Sequence, residues 1–226
     1  MRYRSIMFCA LASVALLTAC GEDDDFTGLG NDHAASVRFV NATNSNITVA
    51  EEGDVATGNS ALGFGSGSSC MRVDATNPQL TFTNSTTGAA ITTFTPALAA
   101  NSNYTILAYT DASGNTQFAT LNNVFTPAAG QAGLRVYNAA NGSGNVVLNA
   151  NGAALNGGAT TSFGTASSFF STPTAATVYS FNTGAGTTAI AATASTGLTA
   201  NRNATVVLGP AASGSTALRA FVTPAC

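Results

Sequence analysis

"VRFVNAT" at Val37–Thr43 and "LRVYNAA" at Leu134–Ala140 are two versions of one segment, and their likeness decides how the chain is organised. In the first, Val37, Phe39 and Asn41 alternate with Arg38, Val40 and Ala42, the two-residue period of a β-strand. Three further blocks return in the same order. "FGSGSSC" (Phe64–Cys70) returns as "FGTASSF" (Phe163–Phe169), "ANSNYT" (Ala100–Thr105) as "ANRNAT" (Ala200–Thr205), and "VFTPA" (Val124–Ala128) as "FVTPA" (Phe221–Ala225). The offsets are 97, 99, 100 and 97. Solenoid units run to only about 20–50 residues, so this period indicates duplication of a domain-sized unit.

Between the blocks and running on from them are short β-branched and aromatic runs: "QLTFT" (Gln79–Thr83), "NYTILAYT" (Asn103–Thr110), "TVYSF" (Thr177–Phe181) and "ATVVL" (Ala204–Leu208). Gly, Asn, Asp and Ser punctuate them at the spacing of sandwich turns, about every 8–12 residues. No segment carries a helical stripe. The expected fold is all-β: two tandem, immunoglobulin-like β-sandwich units, with one larger shared sandwich as the alternative. Expected boundaries are a signal peptide over 1–19, an acidic tether over 20–35, the first sandwich over 36–128, a linker over 129–133 and the second sandwich over 134–226.

Composition narrows the function. Charged residues make up 8% of the 226, against roughly 25% in ordinary soluble domains. All seven basic residues are Arg, two of them (Arg2, Arg4) at the extreme N-terminus, and the formal net charge is -3. No basic stripe is available to neutralise phosphates, so nucleic acid is not an expected partner.

"MRYRSIMFCALASVALLTAC" (Met1–Cys20) has a charged start and an apolar stretch shorter than the about 20 residues a membrane span needs. It reads as a secretory signal. Leu17-Thr18-Ala19-Cys20 resembles a bacterial lipobox. That resemblance implies an acylated Cys20 as the first mature residue and a membrane partner held through its acyl chains. Glu22–Asp25 then form an acidic tether, similar to segments that direct some Gram-negative lipoproteins to the outer surface. The expected location is the cell envelope, lipid-anchored at the outer membrane, with both the periplasmic face and the outer surface left open by the sequence and the acidic segment pointing to the outer surface.

Cys9 leaves with the signal and Cys20 takes the lipid. Cys70 and Cys226 remain as an even pair in an oxidising compartment and are expected to form a disulfide. Cys70 matches Phe169 of the second unit and is therefore expected at a mostly buried strand position.

The doubled "VRFVNAT" segment, the paired central strands and the closing "TPA" resemble bacterial secreted proteins that carry domain of unknown function 4397. The resemblance implies a β-sandwich fold and brings no catalytic residue with it.

Catalytic groups are scarce. The stretch Leu134–Cys226 has no Asp, Glu, His or Lys, so acid–base chemistry near neutral pH has no candidate there. No GxSxG nucleophile turn occurs, and "GFGSGSSC" is not followed by a helix that would make it a phosphate loop. No catalytic residue, metal ligand or cofactor is expected. "EEGD" (Glu51–Asp54) reads as a hairpin turn rather than a calcium site, because "NANG" (Asn149–Gly152) keeps the turn without the charge. Arg38 and Arg135 match in the two first strands. Arg135, with no acid in its own unit, should face water, a carbonyl or an acid of the first unit.

The expected function is that of a non-catalytic, lipid-anchored envelope protein: a structural, interaction or adhesion module whose partner is an unknown protein or glycan. The alternative is a surface lipoprotein that binds a small ligand or carbohydrate. Its platform would have to come from Tyr104, Tyr109, Tyr137, Tyr179 or the Phe169–Phe170 pair.

Overall fold

In the computed structural model, which describes residues 33–51, 60–184, 186, 188–195 and 197–226, every described regular element longer than one helical turn is a strand. The first unit contains β1 (Ala34–Asn41), β2 (Ile47–Glu51), β3 (Met71–Asp74), β4 (Leu80–Asn84), β5 (Ala90–Phe94), β6 (Asn103–Thr110) and β7 (Thr116–Asn122). They form two sheets, β3-β1-β6-β7 and β2-β4-β5. The second unit contains β8 (Ala132–Asn138), β9 (Val146–Ala150), β10 (Ala153–Ala154), β11 (Thr160–Thr161), β12 (Phe170–Thr172), β13 (Thr177–Thr183), β14 (Ala189–Ser195), β15 (Asn203–Gly209) and β16 (Arg219–Pro224). Its sheets are β12-β8-β15-β16 and β9-β13-β14, with β10 and β11 added beside β9.

Each unit is a sandwich with its own core. Val37, Phe39 and Ile106 of one sheet meet Ile47, Leu80 and Phe82 of the other. In the second unit Leu134, Val136 and Val206 meet Leu148, Tyr179 and Phe181. The repeated segments form the parallel pairs β1·β6 and β8·β15, with Val37 opposite Tyr104 and Leu134 opposite Ala204.

A third core lies between the units. Val40, Ala42, Leu107 and Leu121 pack on Tyr137, Ala139, Val207 and Phe221. The two parallel pairs thus turn one face into their own sandwich and the other toward the neighbouring unit. This explains why the flanking residues of "VRFVNA" and "LRVYNA" are apolar on both faces: as in a parallel sheet covered on both sides, every residue of the two segments is buried except the half-buried Arg38. Asn41 and Asn138 are fully buried because their amides pin the chain that follows. Asn41 Nδ2 donates to the carbonyls of Ser45 and Leu62, and Asn138 Nδ2 to those of Gly144 and Thr161.

Several expectations need correction. Among the described residues the first strand begins at Ala34, inside the stretch read as tether, because Ala34 and Ala35 pair with Asp74 and Val73 and are buried. Strand β8 begins at Ala132, inside the stretch read as linker. Gly133 gives close approach there rather than flexibility: a Cβ would collide with Asn203 Oδ1 and stand 2.7 Å from the Phe125 ring. The "VFTPA" and "FVTPA" blocks are not equivalent either. Strand registers match Tyr109 to Gly209 and Gln117 to Arg219, offsets of 100 and 102. Phe221 is therefore a β16 residue, whereas Val124 lies beyond β7 and is 70% exposed.

Candidate functional site

Cys20 lies outside the described residues. Cys70 and Cys226 are joined by a disulfide with a Cα–Cα separation of 5.6 Å, which ties the end of the second unit to the first. Cys70 is exposed, in the irregular segment just before β3, and not at a buried strand position. The block it belongs to runs along the edge of its sheet, where Gly67 bridges to Val40 and only Ser68 turns inward.

Beside the disulfide, Arg38 donates through Nη1 to the Ser68 carbonyl at 2.6 Å and through Nη2 to Cys70 Sγ at 3.6 Å. The matching place in the second unit holds no cysteines. There the Phe125 and Phe169 rings stack at 5.2 Å, and the Arg135 guanidinium lies 4.5 Å from the Phe169 centroid. Each unit's trailing segment therefore crosses onto the other unit, held once by a disulfide and once by stacked rings.

Arg135 faces a carbonyl, one of the options its sequence context left open. It is 4% exposed and donates to the Asn122 carbonyl at 2.7 Å, Asn123 Oδ1 at 2.7 Å and Thr205 Oγ1 at 2.9 Å. Burial lowers its pKa to about 10, so it remains charged at neutral pH. Glu51 is not part of a solvated turn. It is a buried β2 residue whose Oε1 accepts the Asp74 N–H at 2.8 Å, linking the two sheets. Glu52–Asp54 lie outside the described residues.

The candidate aromatic platform is consumed by packing. Tyr104, Tyr137 and Tyr179 are buried. Tyr109 packs on Tyr137 and Phe163 between the units, Phe169 stacks on Phe125, and Phe170 packs on the second core. Burial pushes the Tyr137 hydroxyl well above the usual phenol range and raises that of Tyr179. Among the described residues no Phe or Tyr is exposed, and no three His, Cys, Asp or Glu side chains could hold a metal ion together.

One cavity stands out. A cleft of about 510 Å³ opens between β14 and β16, the free edges of the second sandwich. Thr193, Ser195 and Thr199 give it hydroxyls, Leu198, Ala204 and Val222 an apolar floor, and Arg202 stands exposed among the lining residues. Its volume falls within the roughly 300–1,000 Å³ of small-molecule sites.

Register explains why it exists. Leu80 pairs with Phe94 and Tyr179 with Thr193, so Thr193 is the counterpart of Phe94. Ala204 stands where the first unit has Tyr104. Ala220 stands where it has Phe118, since Ala108 pairs with Phe118 and Leu208 with Ala220. In the first unit these rings close the edge. Phe118 lies 4.0 Å from Phe82 and 5.2 Å from Phe94 between centroids, and the Tyr104 hydroxyl accepts the Ala99 N–H at 3.0 Å. In the second unit two of the three small replacements line the cleft directly. The sequence signal was present in "NSNYT" against "NRNAT", where Tyr104 becomes Ala204 and Ser102 becomes Arg202.

Comparison with known proteins gives one family match: the model of "Domain of unknown function (DUF4397)" matches residues 35–149, the whole first sandwich and the opening strands of the second. No curated protein matches the chain. Among solved structures, the module CBMbc (family CBM26) from Eubacterium rectale Amy13K, in complex with maltoheptaose, is 12% identical. The match covers 82% of this chain and 95% of that one, with a TM-score of 0.27. A likeness at that score carries no argument about fold or ligand.

Proposed function

From the premise that the chain belongs to the DUF4397 family, we propose that it is a non-catalytic, lipid-anchored protein of the bacterial cell envelope. It presents two docked β-sandwiches as a structural or interaction module to a protein or glycan partner. The observation that carries this reading is the Cys70–Cys226 disulfide. Such bonds persist in oxidising compartments, which agrees with export by the Met1–Cys20 signal. The lipobox-like Leu17–Cys20 then supplies the anchor, and Glu22–Asp25 the solvated start of a tether. A sugar-stacking surface is not favoured, because no described aromatic ring is exposed.

The test is membrane fractionation and palmitate labelling of the full-length protein and a Cys20→Ser variant in a bacterial host. The wild type should take label and sediment with membranes, while the variant should lose label and become soluble. A variant that stays membrane-bound would refute the anchor. Replacing Glu22–Asp25 with Ala should reduce protease access on intact cells. Unchanged access would remove the surface-display part of the reading.

A further inference from the structure

We propose that the cleft between β14 and β16 is a binding site for a small molecule with an aromatic ring and a carboxylate. This goes beyond the envelope role and does not depend on it.

Two sandwiches built on matching strands treat the same place differently. In the first, Phe94, Tyr104 and Phe118 occupy it with the protein's own rings. In the second, Thr193, Ala204 and Ala220 stand at those positions, the backbone pairing is kept, and about 510 Å³ is open. A space that ring-shaped side chains fill on one copy of the framework suits a ring from outside on the other. Leu198, Ala204 and Val222 supply the apolar contact such a ring needs.

The polar end follows from Arg202. Its side chain is exposed, lines the cleft, and makes no hydrogen bond or ion pair among the described residues. Its counterpart, Ser102, is neutral. Because Leu134–Cys226 contains no Asp or Glu, no side-chain carboxylate of its own unit competes for it. A planar guanidinium pairs with a carboxylate through two parallel hydrogen bonds. The Ser195 and Thr199 hydroxyls among the lining residues provide secondary partners.

The test is isothermal titration of the purified full chain with 3-phenylpropionate and with the neutral 3-phenylpropionamide. Saturable one-to-one binding of the acid is expected, with the amide about tenfold weaker. Arg202→Gln should weaken the acid about tenfold and leave the amide unchanged. Ala204→Tyr, which installs the residue of the first unit, should abolish binding of both while keeping the melting temperature at or above that of the wild type. Thr193→Phe serves the same purpose if Ala204→Tyr misfolds. Absence of saturable binding by the wild type, or full binding by both filled variants, would overturn the proposal.

Discussion

At the free edge of the first sandwich, Phe94, Tyr104 and Phe118 close the gap between β5 and β7; at the matching edge of the second, Thr193, Ala204 and Ala220 leave it open. Strand order and the paired central strands are shared. Fold and opening are therefore separable: the backbone framework survives loss of three rings because its stability rests on the central strands, which are buried on both faces. The clasps differ in the same way. A disulfide holds the C-terminal tail on the first unit, and stacked rings hold the segment after β7 on the second.

Substitutions can break this comparison, and they rank by size. Phe118→Ala removes a ring packed on two others and should destabilise the protein by about 3–5 kcal/mol in urea unfolding. It should also open in the first unit a cleft like that of the second. Cys226→Ser frees a chain end whose bridge spans 156 residues and should lose about 2–5 kcal/mol. Phe169→Ala at the other clasp should lose less, as its ring is half-buried and its neighbours stay in place. Arg135→Met removes the side-chain donor to Thr205 Oγ1 and the Asn122 carbonyl, leaves Asn123 Oδ1 only the 3.3 Å bond from Thr105 Oγ1, and should cost about 2 kcal/mol. Arg38→Met, at a less buried position, should cost about half of that. Ala204→Tyr should change stability least, by about 0.5 kcal/mol in the stabilising direction. Denaturant midpoints across this series check the order.

Much of the architecture was legible in the sequence, and the exceptions have physical causes. The "VRFVNAT" and "LRVYNAA" pair located the central strands because a strand buried on both faces tolerates little change. "ANSNYT" and "ANRNAT" survived because each turn needs Asn101 or Asn201 at a φ of 59°, a conformation asparagine adopts more readily than most residues. The parallel pairing was not legible, since alternation gives faces but not partners. The cleft was missed because the "TPA" match fixed the last strand at an offset of 97. The true offset there is 102: the turn closed by the Gly209–Arg219 pair is two residues longer than the one closed by Tyr109–Gln117. With that shift, Phe118 aligns with Ala220, and the loss of a ring becomes visible. The interior placement expected for Cys70 fails because Phe169 is not a core residue: both lie at the docking boundary, where a tail from the other unit is attached to them.

One copy of the duplicated unit fills its own edge, and the other offers that edge to a ligand. Methyl-resolved NMR titration of the full chain with 3-phenylpropionate separates the two edges in a single experiment. Ile91 and Leu98 report on the first unit, and Leu198 and Val222 on the second. Saturable shifts are expected at Leu198 and Val222, and none at Ile91 and Leu98. Equal shifts in both units, or none in either, would contradict this.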